Sequence, residues 1–213
     1  MCGEFFSWLY TAQIGEWFLG AGLRLMTEIY VIGKDDKFPT LVQDDSDGEL
    51  IAENDFALRA GSIEMNGVEF GDDYLPVRLK IANEDRKKKG NSDVQTHFMS
   101  FIILSRKAVE ALSDLLDGAG QMLPIDDRYP DLQGFHVTRI VRDAVDFDRS
   151  EYVVYPRGTL IRKTVLLKER VEGVPIFKIQ EDPTRVFISD VFRRQVEEKK
   201  LKGFSFAIKV ELT

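Results

Sequence analysis

The most constraining feature of this sequence is a strand–cap–helix–strand pattern that spans residues 186–206. Residues 186–188 are apolar and suit a buried strand, and Ser189 follows them directly. A serine hydroxyl at this point accepts a hydrogen bond from a free amide of the first helical turn, so we expect a helix to begin after Ser189. Gly203 is placed for a left-handed C-terminal cap of that helix.

The spacing of apolar residues predicts which faces of this pattern are buried. Phe192 and Val196 lie four residues apart and therefore share one face of the helix. After the glycine, Phe204, Phe206 and Ile208 alternate with small or polar residues. This two-residue period predicts a closing strand with one buried face.

The same order of elements occurs earlier in the chain. Residues 101–104 are an apolar strand, Ser105 is the cap, residues 106–117 are the helix and Gly118 stops it, before an apolar run at 122–125. We interpret the two segments as one supersecondary unit used twice; the alternative is that any capped helix between two strands has this pattern. The expected inner face of the first helix comprises Ala108, Val109, Ala111, Leu112, Leu115 and Leu116.

Further strands with few intervening helical patterns define the fold class. The sequence predicts an α+β protein with a mixed, largely antiparallel sheet and two capped helices in repeated strand–Ser–helix–strand units. We expect residues 26–213 to form a single domain, with a loop break near residues 84–95. The additional strands are expected at residues 28–32, 77–81, 135–140, 160–167 and 175–179.

Residues 1–25 are apolar and have a composition of their own. They are interpreted as an extension caused by an upstream start codon, with the domain beginning near Met26. The alternatives are an apolar helix packed on the domain or on a partner, and an interfacial membrane anchor. Glu4 and Glu16 interrupt the apolar run, so the segment is not expected to span a membrane.

The charge balance restricts the partners of the protein. The 213 residues include 29 Lys and Arg against 36 Asp and Glu, which gives a net charge of −7. This balance argues against a general nucleic-acid binder, which needs a basic face. The single cysteine, Cys2, excludes an internal disulfide and fits a cytoplasmic location. The sequence sets no oligomeric state.

Residues for metal or cofactor chemistry are scarce. A zinc site of the usual type cannot be assembled from His97, His136 and Cys2 alone. Both histidines stand in apolar strand patterns and are expected at core or edge positions. The sequence has no glycine-rich phosphate loop and no Gly-x-Ser-x-Gly elbow, so we expect neither a metal nor a cofactor.

Carboxylates are the only candidates for catalysis. Asp126 with Asp127, or Asp143 with Asp146 and Asp148, could form an acid–base pair in a small hydrolase. A second interpretation is electrostatic, since acidic loops dock on a basic cleft of another protein and fix its register. The third is a solvated acidic surface without a partner.

Five segments of the chain resemble the myxobacterial MXAN type of bacterial immunity proteins, a family formerly of unknown function. The resemblance covers roughly residues 97–210, and Lys178 departs from it where an arginine is expected. Members of this family are the cognate antidotes of polymorphic, contact-delivered toxins of the kind that type VI secretion carries. The segments are residues 101–105 with the following helix, 122–125, 143–151, 171–178 and 186–206.

The resemblance implies a protein without a catalytic task that binds one cognate toxin stoichiometrically and blocks it. Acidic loops with nearby aromatic residues are then the candidates for toxin contact. A small hydrolase with paired aspartates, and a membrane-associated accessory protein anchored by residues 1–25, are the alternatives. The candidate contact residues are Asp126, Asp127, Asp143, Asp146 and Asp148, with Tyr129 and Phe147 as aromatic anchors.

Overall fold

The computed structural model of the protein describes residues 27–44, 59–62, 64–98, 100–155 and 158–213. Strands and short α-helices within these ranges confirm the predicted α+β class. The expected N-terminal extension, residues 1–25, lies outside the described residues. The helices are α1 (Arg106–Ala111), α2 (Ser113–Leu116), α3 (Lys168–Val171) and α4 (Asp190–Glu198). The strands are β1 (Ile29–Lys34), β2 (Leu41–Gln43), β3 (Leu79–Ile81), β4 (Val94–Phe98), β5 (Phe101–Ser105), β6 (Gly120–Leu123), β7 (Leu132–Val137), β8 (Ile140–Val141), β9 (Glu151–Tyr155), β10 (Gly158–Lys163), β11 (Val165–Leu166), β12 (Ile176–Ile179), β13 (Asp182–Ser189) and β14 (Phe204–Leu212).

The described strands form four sheets. A six-stranded sheet has the order β11-β14-β1-β13-β12-β8, and a four-stranded sheet has the order β4-β5-β7-β6. Two further sheets are the pairs β9–β10 and β2–β3. All pairs are antiparallel except β11 with β14 and β8 with β12, so the predicted mixed, largely antiparallel arrangement is confirmed.

Serine caps start both predicted helices. The hydroxyl of Ser105 accepts a hydrogen bond from the amide of Ala108 at 3.1 Å. The hydroxyl of Ser189 accepts one from the amide of Phe192 at 3.4 Å. Each bond satisfies an amide that the helix itself leaves without a partner, which is why the chain turns from strand to helix at these two points.

The strands around each capped helix have a common topology. β5 and β6 both pair antiparallel with β7, so they run parallel to each other on either side of it. β13 and β14 flank β1 in the same way. The middle strand follows the unit in the first case and comes from the opposite end of the chain in the second. The interpretation of the two segments as one unit used twice stays a prediction.

Alternation along the strands divides the apolar residues between the two faces of each sheet. Ile102 and Leu104 face a central core, whereas Phe101 and Ile103 face an outer core that covers the other side of the four-stranded sheet. This first outer core includes Leu41, Phe70, Leu79 and Ile125. The second outer core covers the six-stranded sheet and includes Ile29, Val145, Ile161, Phe177 and Phe187.

Helices α1, α2 and α4 lie against the central core. Ala108, Leu112 and Leu116 contribute from the first unit, and Phe192 and Val196 contribute from α4. With Val109 and Leu115 packed against them, these residues confirm the predicted inner faces, except that Ala111 does not belong to this core. Both sheets also contribute to this core, so the two units are stabilised by the same buried apolar contacts.

The helix of the second unit ends differently from the prediction. α4 ends at Glu198, and Lys200, not Gly203, occupies the left-handed cap position with a φ of 52°. The amide of Leu201 donates to the carbonyl of Val196 at 3.0 Å, which is the bond of a Schellman motif.

Gly203 serves a different purpose, which is a close approach of two backbones. Its φ is 83°, and a Cβ atom at this position would lie 2.8 Å from the Cβ of Ser92. Its carbonyl accepts a hydrogen bond from the amide of Asp35 at 2.7 Å. The glycine is therefore required by tertiary contact at the start of β14 rather than by the helix end.

The prediction that Ile208 is buried with Phe204 and Phe206 is wrong. Phe204 and Phe206 pack on the central core, but Ile208 is 63% exposed. The register between β1 and β14 shifts between Val31 and Gly33, which places an extra residue in β14. Such a bulge reverses the faces of the strand beyond it, and Val210 accordingly reaches the second outer core.

The expected loop near residues 84–95 is anchored at its start. The Asp85 carboxylate accepts a hydrogen bond from the amide of Thr40 at 2.8 Å and forms an ion pair with Lys88 at 2.6 Å. The hydrogen bond from Lys88 lowers the pKa of Asp85 to about 2. The chain then enters β4, whose partner is β5.

Candidate partner-binding surface

Asp126 lies inside the protein, with 6% of its surface exposed. Its carboxylate accepts hydrogen bonds from the amide of Leu79 at 2.7 Å and from the guanidinium of Arg128 at 2.6 Å. Burial opposes ionisation, but the bonds from Arg128 and from backbone amides outweigh it and lower the pKa of Asp126 to about 2. The oxygens of this carboxylate are therefore occupied by the protein's own donors.

The neighbouring residues Asp127 and Tyr129 differ in how far they are exposed. Asp127 is exposed, whereas Tyr129 is half-buried and packs against the first outer core. The amide of Tyr129 donates to the carbonyl of Asp126 at 3.0 Å, which closes the loop on itself. Asp127 is the carboxylate of this group that solvent reaches.

The carboxylate of Asp146 also serves local structure. It accepts hydrogen bonds from the amides of Asp148 at 3.1 Å and of Arg149 at 3.2 Å. This is the geometry by which an aspartate stabilises a turn that follows it. Asp148 is exposed at the outside of this turn.

Phe147 and Asp143 are the accessible members on either side of Asp146. Phe147 is 40% exposed, and its ring centroid lies 5.0 Å from that of Tyr152 in an edge-on arrangement. Asp143 is exposed and has a φ of 51°, a conformation that aspartate tolerates better than most residues. Asp143 also lines a cleft described below.

The structure does not bring the seven predicted contact residues together. Residues 126–129 adjoin the first outer core through Tyr129, and residues 143–148 adjoin the second outer core through Val145. Within the described part of the chain no hydrogen bond or ion pair joins the two groups. The prediction that these residues contact a partner remains a prediction.

The hairpin β9–β10 presents apolar surface that was not predicted from the sequence. This hairpin forms its own two-stranded sheet. Of the eleven large hydrophobic residues that are exposed in the described structure, five fall within residues 147–160, which makes this segment the main concentration. The signal was the run Tyr152-Val153-Val154-Tyr155, whose aromatic and β-branched residues are typical of a strand. The five are Phe147, Tyr152, Val154, Tyr155 and Leu160.

A cleft with a volume of about 770 Å³ lies between this hairpin and the turn that joins β12 to β13. Tyr155 and Leu160 form its apolar wall, with 51% and 50% of their surfaces exposed. Asp143 and Glu181 also line this cleft. We call this feature the acidic cleft.

Glu181 is the least satisfied group of the acidic cleft. One of its carboxylate oxygens, Oε2, is buried and has no hydrogen-bond partner among the described residues. Burial raises the pKa of Glu181, and the negative charge of Asp143 raises it further. The two carboxylates thus repel each other across the cleft.

Arg185 fixes the walls of the cleft relative to each other. Its guanidinium lies 3.0 Å from the carboxylate of Asp182 and donates to the hydroxyl of Thr164 at 3.0 Å. It also donates to the carbonyl of Ile161 at 2.9 Å, so β13 is tied to β10. The Asn66 side chain donates to the carbonyl of Ile179 at 3.3 Å and steadies the β12–β13 turn from behind.

A second polar group is completely enclosed where β7 and β12 meet. His136 and Lys178 are both 0% exposed, as the sequence predicted for the histidine but not for the lysine. The Lys178 ammonium donates to the carbonyl of Ala60 at 3.2 Å, and burial lowers its pKa to about 8. Burial, with the neighbouring Lys178, lowers the pKa of His136 to about 4. Burial of these two ionisable side chains is electrostatically unfavourable, and neither is exposed to a partner.

Two other features are absent from the described residues. These residues contain no group of three or more His, Cys, Asp or Glu side chains that could hold a metal ion. None of the helices that the structure describes is long and apolar enough to cross a membrane.

Comparison with known proteins identifies a family for this chain. No curated protein matches the chain. The family model described as "Immunity protein family (Imm11)" matches residues 50–210, which is more than half of the chain and includes both units, the hairpin and the acidic cleft. The match confirms the resemblance to immunity proteins and extends it toward the N-terminus, while the MXAN type stays a prediction. The chain belongs to the Imm11 immunity protein family.

Proposed function

We propose that the protein binds a cognate toxin of bacterial origin in a one-to-one complex and neutralises it, without a catalytic task of its own. The family match over residues 50–210 carries this proposal. Its finer parts are that the toxin is a polymorphic effector delivered between competing bacteria, for example by type VI secretion, and that the complex forms in the cytoplasm of the protected cell.

The surface of the protein supports a binding function. An antidote needs high affinity, and a nanomolar dissociation constant corresponds to about −12 kcal/mol. Interfaces that reach such values bury on the order of 1,600 Å² and depend on a few aromatic or charged anchors. By strand alternation, Tyr155 and Leu160 lie on one face of the hairpin β9–β10, and Tyr152 and Val154 lie on the other. Exposed apolar side chains of this kind mark protein interfaces.

The accessible members of the predicted contact set fit this surface. Asp143, Phe147 and Asp148 lie beside the hairpin and are exposed, so they can meet a partner there. Asp127 lies with the other group of residues and would contribute to a separate contact. We keep Asp126 and Asp146 as contact candidates of lower rank, because their carboxylates already accept hydrogen bonds within the protein.

The arrangement gives no support to a hydrolase with paired aspartates. Asp126 is held as an anion by Arg128, so it has no proton to donate near neutral pH. Of the five candidate aspartates, Asp143 is the one that lines the acidic cleft. The accessory protein anchored by residues 1–25 likewise finds no support within the described residues.

Co-expression tests the proposed function. The toxin domain encoded in the neighbouring reading frame should stop growth of a bacterial host when expressed alone, and this protein should restore growth. The purified pair should bind with a stoichiometry near one in calorimetry. A toxin that remains lethal in the presence of the folded protein, together with no binding in calorimetry, would overturn the proposal.

Charge reversal tests the contact residues. Reversing Asp143 and Asp148 to lysine should abolish protection if they dock the toxin. Asp146 is omitted, since its reversal would also remove the bonds that hold the turn. Unchanged protection by the double variant would remove both residues from the contact set.

A further inference from the structure

Two carboxylates that repel each other, Glu181 and Asp143, line the acidic cleft. Glu181 Oε2 is buried without a partner, and Asp143 adds a second negative charge nearby. Such a like-charge arrangement costs folding free energy, because the backbone amide of Glu181 offsets only part of the cost of burial and repulsion and the pKa of Glu181 remains raised. A cation that entered the cleft from outside would relieve both costs.

Arg185 is the cation among the described residues that line the cleft, and its guanidinium is already paired within the protein. Arg185 lies against the carboxylate of Asp182 and donates to Thr164 and Ile161. No ion pair of the described residues includes Glu181 or Asp143. Within the described residues, therefore, no positive charge is paired with either carboxylate, and a partner could supply one.

The walls of the cleft favour an organic cation over a metal ion. Glu181 and Asp143 alone provide too few ligands, and the described residues contain no cluster that could hold a metal. Tyr155 and Leu160 instead offer half-exposed apolar surface beside the carboxylates. A lysine or arginine side chain has the matching shape, since its aliphatic stem packs on apolar groups while its charged end reaches an anion. An arginine can in addition stack on the ring of Tyr155.

We infer that the acidic cleft receives a lysine or arginine side chain of the toxin, with the charged end between Glu181 and Asp143 and the flanking apolar residues of the same toxin segment against Tyr155 and Leu160. This inference rests on the proposed function and adds the chemistry of the partner. The recognition element is a basic residue within an apolar segment, and the hairpin β9–β10 is the surface on which that segment lies.

The experiment compares the binding of the toxin domain from the neighbouring reading frame to three forms of the full chain. The test variant is Glu181→Gln with Asp143→Asn, which keeps shape and removes both charges. The matched control is Glu198→Gln with Asp72→Asn, which changes net charge equally at exposed positions that do not line the cleft. Dissociation constants are measured by calorimetry at low and high salt.

The test variant should bind the toxin about 30-fold more weakly or worse, as expected when one side of a desolvated charge pair is removed. Its binding should also depend less on salt, because the screened attraction is gone. The control should bind like the wild type. In the absence of toxin, the test variant should melt at a slightly higher temperature than the wild type, since the repulsion in the cleft is relieved.

The outcomes separate the inference from the proposed function. Wild-type affinity and salt dependence in the test variant would overturn the inference while leaving toxin binding intact. Equal losses in the test and control variants would also overturn it, because net charge would then be the cause. Failure of the wild-type protein to bind the toxin at all would overturn the proposed function, and the inference would fall with it.

A charge exchange provides an independent check. Lysine and arginine residues of the toxin domain are replaced singly by glutamate, and each variant is paired with Glu181→Lys of this protein. One exchange should restore at least part of the binding that each single change removes. If no pair shows restoration, the cleft does not receive a basic residue.

Discussion

The two strand–helix–strand units begin their helices in the same way and end them differently. Ser105 and Ser189 cap their helices with the same type of bond. The first helix is interrupted at Leu112 and ends before Gly118, a glycine in the left-handed conformation with a φ of 59°. The second helix is continuous, but Lys200 takes the left-handed position. Helix starts are thus set locally, whereas helix ends are adjusted to the tertiary contacts that follow them.

The largest effect is expected from Phe192→Ala. Phe192 is 0% exposed in the central core that both units share, so its loss should lower the free energy of unfolding of the whole domain by about 4 kcal/mol. Urea denaturation measures the change. Val191→Ala is the control, since Val191 lies on the same helix and is 44% exposed. A loss below about 1 kcal/mol would mean that the second unit does not stabilise the common core.

Lys178→Met should stabilise the protein where the two sheets meet. The pKa of Lys178 falls from 10.5 to about 8 on folding, so the folded state disfavours the charged form. Removing that charge should raise the free energy of unfolding at pH 7 by about 3 kcal/mol. Lys199→Met, at an exposed position, is the control. A destabilised Lys178→Met variant would show that the ammonium contributes net favourable bonds.

The stability difference between the wild-type protein and Lys178→Met should depend on pH. Between pH 8 and 10.5 the unfolded chain binds a proton at Lys178 that the folded chain has lost, so wild-type stability from this group rises with pH. The advantage of Lys178→Met should therefore shrink across this range. At the acid end, the pKa of His136 is lowered from 6.5 to about 4, so stability should be lost as the pH falls between these values. Denaturation curves at several pH values test both limbs.

The serine caps should differ in strength although they look alike in sequence. Ser105→Ala should cost about 1 to 2 kcal/mol, because its hydroxyl also donates to the carboxylate of Asp93 at 2.6 Å. Ser189→Ala should cost about 0.5 to 1 kcal/mol, because its bond to Phe192 is long, at 3.4 Å. Urea midpoints of the two variants provide the comparison. A reversed order would show that the second cap contributes more than its geometry indicates.

The smallest effects are expected at the helix ends. Lys200→Gly should raise the free energy of unfolding by about 0.5 to 1 kcal/mol, because glycine adopts the left-handed conformation without strain. Gly118→Ala should lower the free energy of unfolding by a similar amount, about 1 kcal/mol, because alanine is strained at a φ of 59°. The loss should not be larger, since the nearest atom to the added methyl group is in the Arg139 side chain at 3.8 Å. Thermal melts resolve such differences. If both variants were stabilised, or both destabilised, the proposed difference between the two helix ends would be wrong.

Local patterns predicted the parts of the fold that depend on neighbouring residues. The caps at Ser105 and Ser189 and the alternation of residues 101–104 follow from hydrogen bonding and strand geometry within a few residues. Ile208 could not be placed correctly, because the bulge arises from pairing of β14 with a strand at the other end of the chain. Lys178 was not recognised as buried for the same reason, since its enclosure depends on Ala60 and β7.

The candidate surface was predicted in part. Asp143 was selected from its acidic segment, but Glu181 follows a different strand and meets it only in the folded protein. Asp126 was selected for its charge, although Arg128 two residues later was a signal of an internal pair. The apolar hairpin was overlooked because the expected strands included none between residues 140 and 160, while β9 begins at Glu151.

The position of β1 has a consequence for biosynthesis. This strand leaves the ribosome long before its two neighbours β13 and β14, and Glu28 just before it contacts a residue 181 positions farther along. At about 5 to 20 residues per second, that interval lasts on the order of 10 to 40 s. Throughout this time Ile29 and Tyr30 have no sheet to join, so the nascent chain should depend on chaperones until β14 has emerged. The six-stranded sheet can therefore be completed only after this delay.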